Sequence, residues 1–337
     1  MRRAIREAIA LASKGVDRLV IELPTGYGKT VAGPELYRAY KEAGMCWRAI
    51  HVFPLRAILH KTLERYRGEH PDINFTYQDG DVTLTQRGYV KDPLFRGEYV
   101  LTTIDSFIHN LLKAPIAEWH KLFMKKSRAI HYHQPFAYIY PSCVFFDEAH
   151  VAAQEESGKM MAALRAALNT LKGAEIPVVV MSATLGQWKY EVFKGFTFIE
   201  LGDADAREDK RVVLKDEEFE EIFRETRYET KAIEEEEVER IAKRKAEEGK
   251  RVLVVVNDIS KAMKLAKELN AVLIHSMLTR RDRYRAEAVL ANAKIVVGTS
   301  AIEAGVDVSF DALISSADSV ESVAQRAGRV CRYGGSV

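Results

Sequence analysis

Cysteine is scarce: Cys46, Cys143 and Cys331 are the only three in 337 residues, far apart and in no CxxC spacing. So scattered an odd set excludes a disulfide framework and a Cys-based zinc site, and it points to a reducing cytoplasm. No apolar run approaches the ~18 residues that a bilayer span needs. The longest, Ile176–Met181 and Val252–Val256, are strand-sized. Arg2 and Arg3 open the chain, but Arg6 and Glu7 interrupt the stretch behind them, so no signal-peptide core forms. An amphipathic helix from about Arg3 to Ser13 is expected instead. Net charge is nearly absent as well: 50 Lys+Arg against 48 Asp+Glu give +2, which excludes a strongly basic DNA-coating protein. Any nucleic-acid contact must come from local placement of Lys and Arg. Asn and Gln occur only six times each while charged residues make up 29%, a balance that leans towards a thermophile.

What is present is apolar and periodic. Hydrophobic residues make up 47% of a length that suggests two domains. Strands are expected at Arg18–Leu23, Ala49–Phe53, Tyr99–Thr102, Cys143–Phe146 and Val178–Met181. A second series follows at Arg251–Val256, Ala271–Ile274, Ile295–Val297 and Ala312–Ile314. Unbroken apolar strands separated by helical stretches indicate parallel sheets covered on both faces, so the fold class is α/β and the pattern runs twice. The charged stretch Gly202–Glu221, whose one obvious strand is Val212–Leu214, marks the junction between domains expected at 1–205 and 206–337. Glu234–Glu237 followed by Lys243, Arg244 and Lys245 reads as a solvated helix with its charges in the order that the helix dipole favours.

Leu23-Pro24-Thr25-Gly26-Tyr27-Gly28-Lys29-Thr30 follows a strand and precedes a helix. The glycines let backbone N–H groups converge on phosphate oxygens in front of a helix N-terminus, so Thr25, Gly26, Gly28, Lys29 and Thr30 are candidate nucleotide ligands. Lys29 would reach the β- and γ-phosphates, and the Thr30 hydroxyl would hold magnesium. Leu23 stands where the strict motif has glycine. Val144-Phe145-Phe146-Asp147-Glu148-Ala149-His150 is an apolar strand ending in adjacent carboxylates, where a second magnesium contact belongs. Asp147 would hold the ion, and Glu148 would orient or deprotonate the attacking water. Gln325-Arg326-Ala327-Gly328-Arg329-Val330-Cys331-Arg332 supplies a third stretch. Arg329 and Arg332, three apart, would share one face of a helix, where two guanidiniums suit the spread charge of phosphoryl transfer. Taken alone, a basic surface helix explains them as well.

These stretches, in this order, resemble the superfamily 2 helicases. Ser182-Ala183-Thr184 is similar to the motif linking hydrolysis to domain movement, and Thr299–Asp307 to the fifth helicase motif. Phe53-Pro54-Leu55-Arg56-Ala57-Ile58-Leu59, Leu101–Ser106, Ile274–Arg283 and Ile302–Asp307 resemble the CRISPR-associated helicase of type I interference systems. The resemblance covers nearly the whole chain. It implies two tandem RecA-like domains, with ATP and magnesium as cofactors. It implies catalytic roles for Lys29, Asp147, Glu148, Gln325, Arg329 and Arg332, a nucleotide contact from Asp307, and coupling through His150, Ser182 and Thr184. It implies contacts to single-stranded DNA from Arg56, Thr103 and Asp105 in the first domain and from His275, Ser276 and Thr299 in the second. The implied partners are single-stranded DNA, the guide-RNA surveillance complex and an HD nuclease. No His is followed by Asp anywhere, so the nuclease is expected on a separate polypeptide. His120, His131 and His133 could be drawn as a metal site, but histidines in an aromatic segment are more often packed or solvated.

Three departures stand out. No Gln precedes the phosphate loop, which leaves adenine specificity open. Gly33-Pro34 falls in the helix expected after Lys29, so that helix should kink or restart there. The chain stops just after the last motif and is expected to be a piece of something longer. Trp119–Tyr140 interleaves bases with aromatics, which suits either a stacking platform for single strands or a packed helix with a basic face. An RNA helicase of the same superfamily, and an ATP-gated clamp that recruits a nuclease without unwinding, are the competing readings.

Overall fold

A computed structural model describes residues 1–80, 85–86, 89–115, 133–154, 158–224, 229–302, 308–318 and 320–331. Two compact units form, Met1–Asp216 and Glu217–Val337, so the first runs past Asp205. The strands of its main sheet are β1 (Arg18–Glu22), β2 (Arg48–Phe53), β3 (Phe75–Gln78), β4 (Tyr99–Thr103), β5 (Ser142–Phe146), β6 (Val178–Ser182), β7 (Thr197–Leu201), β8 (Ala206–Glu208) and β9 (Arg211–Leu214). They lie in the order β8-β9-β7-β1-β6-β5-β2-β4-β3, and every pairing but β8–β9 is parallel. Parallel strands need crossovers, and these put helices on both faces. That is why β5 and β6 are buried at every position. On one face Val20, Ile50, Val144 and Val178 pack against Phe107 and Leu168. The expected first helix spans Arg3–Ser13.

The helix after the phosphate loop does restart. Thr30–Ala32 forms a single 3₁₀ turn, and the α-helix begins at Gly33 with Pro34 in its first turn. There the missing N–H costs no intrahelical bond. Gly33 is required by its surroundings: a Cβ would lie 2.6 Å from the Tyr66 hydroxyl and 2.7 Å from that of Tyr99.

The second unit holds β10 (Val252–Val255), β11 (Val272–Ile274), β12 (Ile295–Gly298) and β13 (Ala312–Ser315), all parallel in the order β11-β12-β10-β13. Val254, Ala262 and Val297 pack on one face; Leu253, Ile274 and Phe310 pack on the other. Asp258 caps the helix Ile259–Glu268, its carboxylate accepting from the Lys261 N–H at 2.8 Å. Among the described residues no helix is long and apolar enough to cross a membrane.

Candidate nucleotide site

The carboxyl ends of β1, β5 and β6 bring the first two motifs together. Gly28 has φ +98°, which only glycine adopts without strain, and nothing lies within 4 Å of where its Cβ would be. That open position suits a loop whose backbone must approach a ligand. Lys29 is buried, and its Nζ donates to the carbonyl of Leu23 at 2.6 Å and to that of Pro24 at 3.2 Å. The ammonium therefore folds back over the loop. Tyr27 is buried behind it, accepting from the Ala4 N–H at 3.1 Å and donating to Asp216. Arg2 stacks over the Tyr27 ring at 5.1 Å and donates to the Gly26 carbonyl at 3.0 Å, so the first helix is tied to the loop.

Asp147 follows β5 with its side chain fully buried. Its Oδ1 accepts from the Glu148 N–H at 2.9 Å, while Oδ2 has no hydrogen-bond partner. Burial would raise its pKa, but His51, the Thr30 hydroxyl and Lys29 outweigh that and hold the carboxyl below its ordinary range. Glu148 stands at φ +49°, a left-handed conformation rare outside glycine, and its Oε2 is also without a hydrogen bond. Buried carboxylate oxygens without partners cost free energy unless something else binds them. Hard oxygens beside a threonine hydroxyl suit a magnesium ion.

His150 links this pair to β6: its Nδ1 lies 2.9 Å from the Ser182 Oγ and 3.4 Å from Glu148 Oε2. The Ser182 hydroxyl reaches the Thr184 carbonyl at 3.3 Å. The three expected coupling residues are thus within reach of one another. Glu22, at the end of β1, accepts from the Leu185 N–H at 2.7 Å and pairs with Lys189, which also binds Glu200 at 2.6 Å. This buried network ties the strand before the phosphate loop to the loop after Ser182-Ala183-Thr184. The sequence reading missed it because its members are far apart in the chain.

The expected nucleic-acid residues of the first unit share one sheet edge. Phe53 and Thr103 are register partners, so exposed Arg56, buried Thr103 and exposed Asp105 follow adjacent strands. The Arg56 guanidinium lies over the Gly80 backbone. In the second unit His275 and Thr299 follow adjacent strands, with the Thr299 N–H bonded to the Ile274 carbonyl at 3.1 Å. Both are buried, while Ser276 is exposed. Of the basic-aromatic segment, residues 116–132 lie outside the described residues, including His120 and His131. In the remainder Arg48 sits over the Tyr138 ring at 5.0 Å and Lys113 over Phe136 at 4.9 Å, while Tyr140 is exposed.

The third motif differs from expectation. Its helix, Val320–Ala327, ends before Arg329, because the chain turns at Gly328 so that Val330 bridges Phe310. Arg329 is therefore not on a helix, and the shared-face argument fails. Gln325 and Arg329 are buried. Arg332 and Asp307 lie outside the described residues.

Comparison with known proteins follows the same motifs. The model of the DEAD/DEAH box helicase family matches residues 2–192. That of the C-terminal part of the CRISPR-associated nuclease/helicase Cas3 matches residues 248–335. The CRISPR-associated helicase Cas3 of Thermoproteus tenax is 26% identical over 98% of this chain, which spans 58% of that relative's length. The solved Cas3 of T. fusca with ATP superposes with a TM-score of 0.67 at 18% identity, over 99% of this chain and 43% of that one. The DUF1998 helicase MrfA bound to DNA and AMPPNP gives 0.67 at 17% identity, over 99% of this chain and 47% of that one. Dbp5 of S. cerevisiae bound to RNA and ADP BeF3 gives 0.63 at 14% identity, over 99% and 82%. At these identities the three structures establish a shared fold.

Proposed function

Because the chain belongs to the DEAD/DEAH box helicase family and is Cas3-like along nearly its whole length, we propose that it hydrolyses ATP to move along single-stranded DNA. In this reading it unwinds target DNA in CRISPR interference, after a guide-RNA surveillance complex has opened it, for an HD nuclease on a separate polypeptide in the cytoplasm. The observation that carries the reading is the cluster at the carboxyl ends of β1, β5 and β6. There Lys29, the carboxylate oxygens of Asp147 and Glu148 that make no hydrogen bond, and the His150–Ser182 hydrogen bond meet at one sheet edge.

Thr25, Gly26, Gly28, Lys29 and Thr30 hold the phosphates in this proposal. The Thr30 hydroxyl and Asp147 hold magnesium, whose chemistry is to neutralise charge on the phosphoryl oxygens. Glu148 orients the attacking water, and Asp307 adds a nucleotide contact. Gln325, Arg329 and Arg332 meet the developing phosphoryl charge. His150, Ser182 and Thr184 relay hydrolysis to the nucleic-acid contacts, which Arg56, Thr103 and Asp105 supply in the first unit and His275, Ser276 and Thr299 in the second, binding sequence-independently.

ATP hydrolysis without nucleic acid, with single-stranded DNA and with single-stranded RNA of equal length tests this. DNA should stimulate turnover several-fold and more than RNA does. Binding should weaken steeply with salt as neutralised phosphates release counterions. Equal or greater stimulation by RNA would favour an RNA helicase. Nucleotide-dependent binding without stimulated turnover would favour a clamp.

A further inference from the structure

His51 lies in the middle of β2, between apolar Ala49, Ile50, Val52 and Phe53, and is fully buried. Its ring stacks on Phe53 at 4.3 Å and meets Phe145 edge-on at 5.6 Å. An imidazole is a costly filler for such a place unless both nitrogens have something to do. Nδ1 lies 3.0 Å from the Tyr99 hydroxyl and 3.4 Å from that of Tyr66. Nε2 faces Asp147 Oδ2 across 3.7 Å, too far for a hydrogen bond, and neither atom has another partner. A lone pair on Nε2 would oppose the carboxylate, so the network assigns the ring proton to Nε2, with Nδ1 accepting from Tyr99. Tyr66 donates its own proton to the Thr30 carbonyl. One polar cluster thus touches both residues assigned above to magnesium: Asp147 through His51 and Thr30 through Tyr66. Gly33 roofs the cluster, which is why a side chain is excluded there.

We propose that His51 is a positioning residue that holds Asp147 in the orientation magnesium requires, with Tyr66 fixing Thr30 in the same frame. The inference deepens the nucleotide-site reading and rests on it. A gap of 3.7 Å between two buried atoms that make no hydrogen bond leaves room for the Asp147 carboxylate to settle against the imidazole once a cation is bound. The nitrogen would then donate to the carboxylate from behind, as groups around bound metals commonly do.

The test titrates a fluorescent ATP analogue into the full chain, once with magnesium and once with EDTA. The wild-type protein should bind more tightly with magnesium. His51→Leu, which fills the space without a donor, should lose roughly 10–100-fold of that magnesium-dependent gain. Its affinity in EDTA and its unfolding midpoint should stay near wild type. His51→Gln, which keeps an N–H of similar reach, should restore most of the gain. Tyr66→Phe should lose part of it, and it keeps the question open to test if His51→Leu does not fold. A gain that persists in the folded variants, or a parallel loss with and without magnesium, would overturn the positioning role. So would failure of His51→Gln to rescue. A wild-type protein that binds no more tightly with magnesium would instead overturn the site reading beneath it.

Discussion

Each unit buries a charge completely, and the two are treated differently. In the second, Arg326 is 0% exposed, and its guanidinium donates to the Ser315 hydroxyl at 2.9 Å and the Ser316 carbonyl at 3.2 Å. It also reaches Asn257 Oδ1 at 3.3 Å and Asp318 Oδ2 at 2.5 Å. In the first, Asp147 is equally enclosed, yet one of its oxygens has no hydrogen bond, and the same holds for Glu148 beside it. Arg326 is satisfied by its own unit and pins the end of β13 to the last helix. Burial alone therefore does not mark a functional charge; at Asp147 it is the unmet bond, together with the motif around it, that supports the proposed role.

That contrast makes opposite predictions for activity and stability. Lys29→Ala should have the largest effect, lowering ATP hydrolysis by at least ~10³-fold, the scale of a group that stabilises transferring phosphoryl charge. Its circular dichroism should be unchanged, since the hydrogen bonds lost are to the loop carbonyls of Leu23 and Pro24. A folded variant hydrolysing ATP at a near-wild-type rate would break the comparison on the functional side. Arg326→Ala should act the other way round, destabilising by about 1–3 kcal/mol, because the Ser315 hydroxyl and the Ser316 carbonyl lose a charged donor and a fully buried side chain is removed. Thermal unfolding should show a lowered midpoint, and unchanged stability would break the comparison on the structural side. Gly33→Ala is expected to cost about 1–3 kcal/mol, because the methyl must displace two buried tyrosine hydroxyls. Nucleotide affinity should fall with it, and unchanged unfolding would mean that the cluster under the phosphate loop is not tightly packed.

How much of this was legible in the sequence depends on whether a signal is local. The apolar runs that make β1, β2, β4, β5 and β6 could be read, as could all four strands of the second unit, because parallel strands buried on both faces are continuously hydrophobic. Strands β3, β7 and β8 escaped. Thr76 and Gln78 interrupt the first and Glu200 the second, with Thr76 bonded to Asp92 and Glu200 to Lys189 outside their own strands, while β8 is short and exposed throughout. The phosphate loop and the Asp147–His150 segment could be read because their chemistry is contiguous. The Arg329 placement failed because helix periodicity was carried past Gly328. Gly33-Pro34 was noticed as an oddity without its cause, since Tyr66 and Tyr99 reach it only through the fold. His51 gave a faint signal, a lone imidazole in an apolar strand, whose meaning appears only once Asp147 lies beside it.

Glu148 carries the account most directly, because the backbone there holds a left-handed φ that favours glycine over the residue present. If the carboxylate is kept for chemistry, Glu148→Gly should leave the unfolding free energy within about 1 kcal/mol of wild type, relief of the backbone offsetting the added freedom of the unfolded chain. ATP hydrolysis measured on the same preparation should fall by roughly 10²–10⁴-fold, the range expected for a lost general base. A protein that keeps its hydrolysis rate while its midpoint drops by many degrees would show that Glu148 serves the fold, and would contradict the assignment of this sheet edge as the catalytic centre.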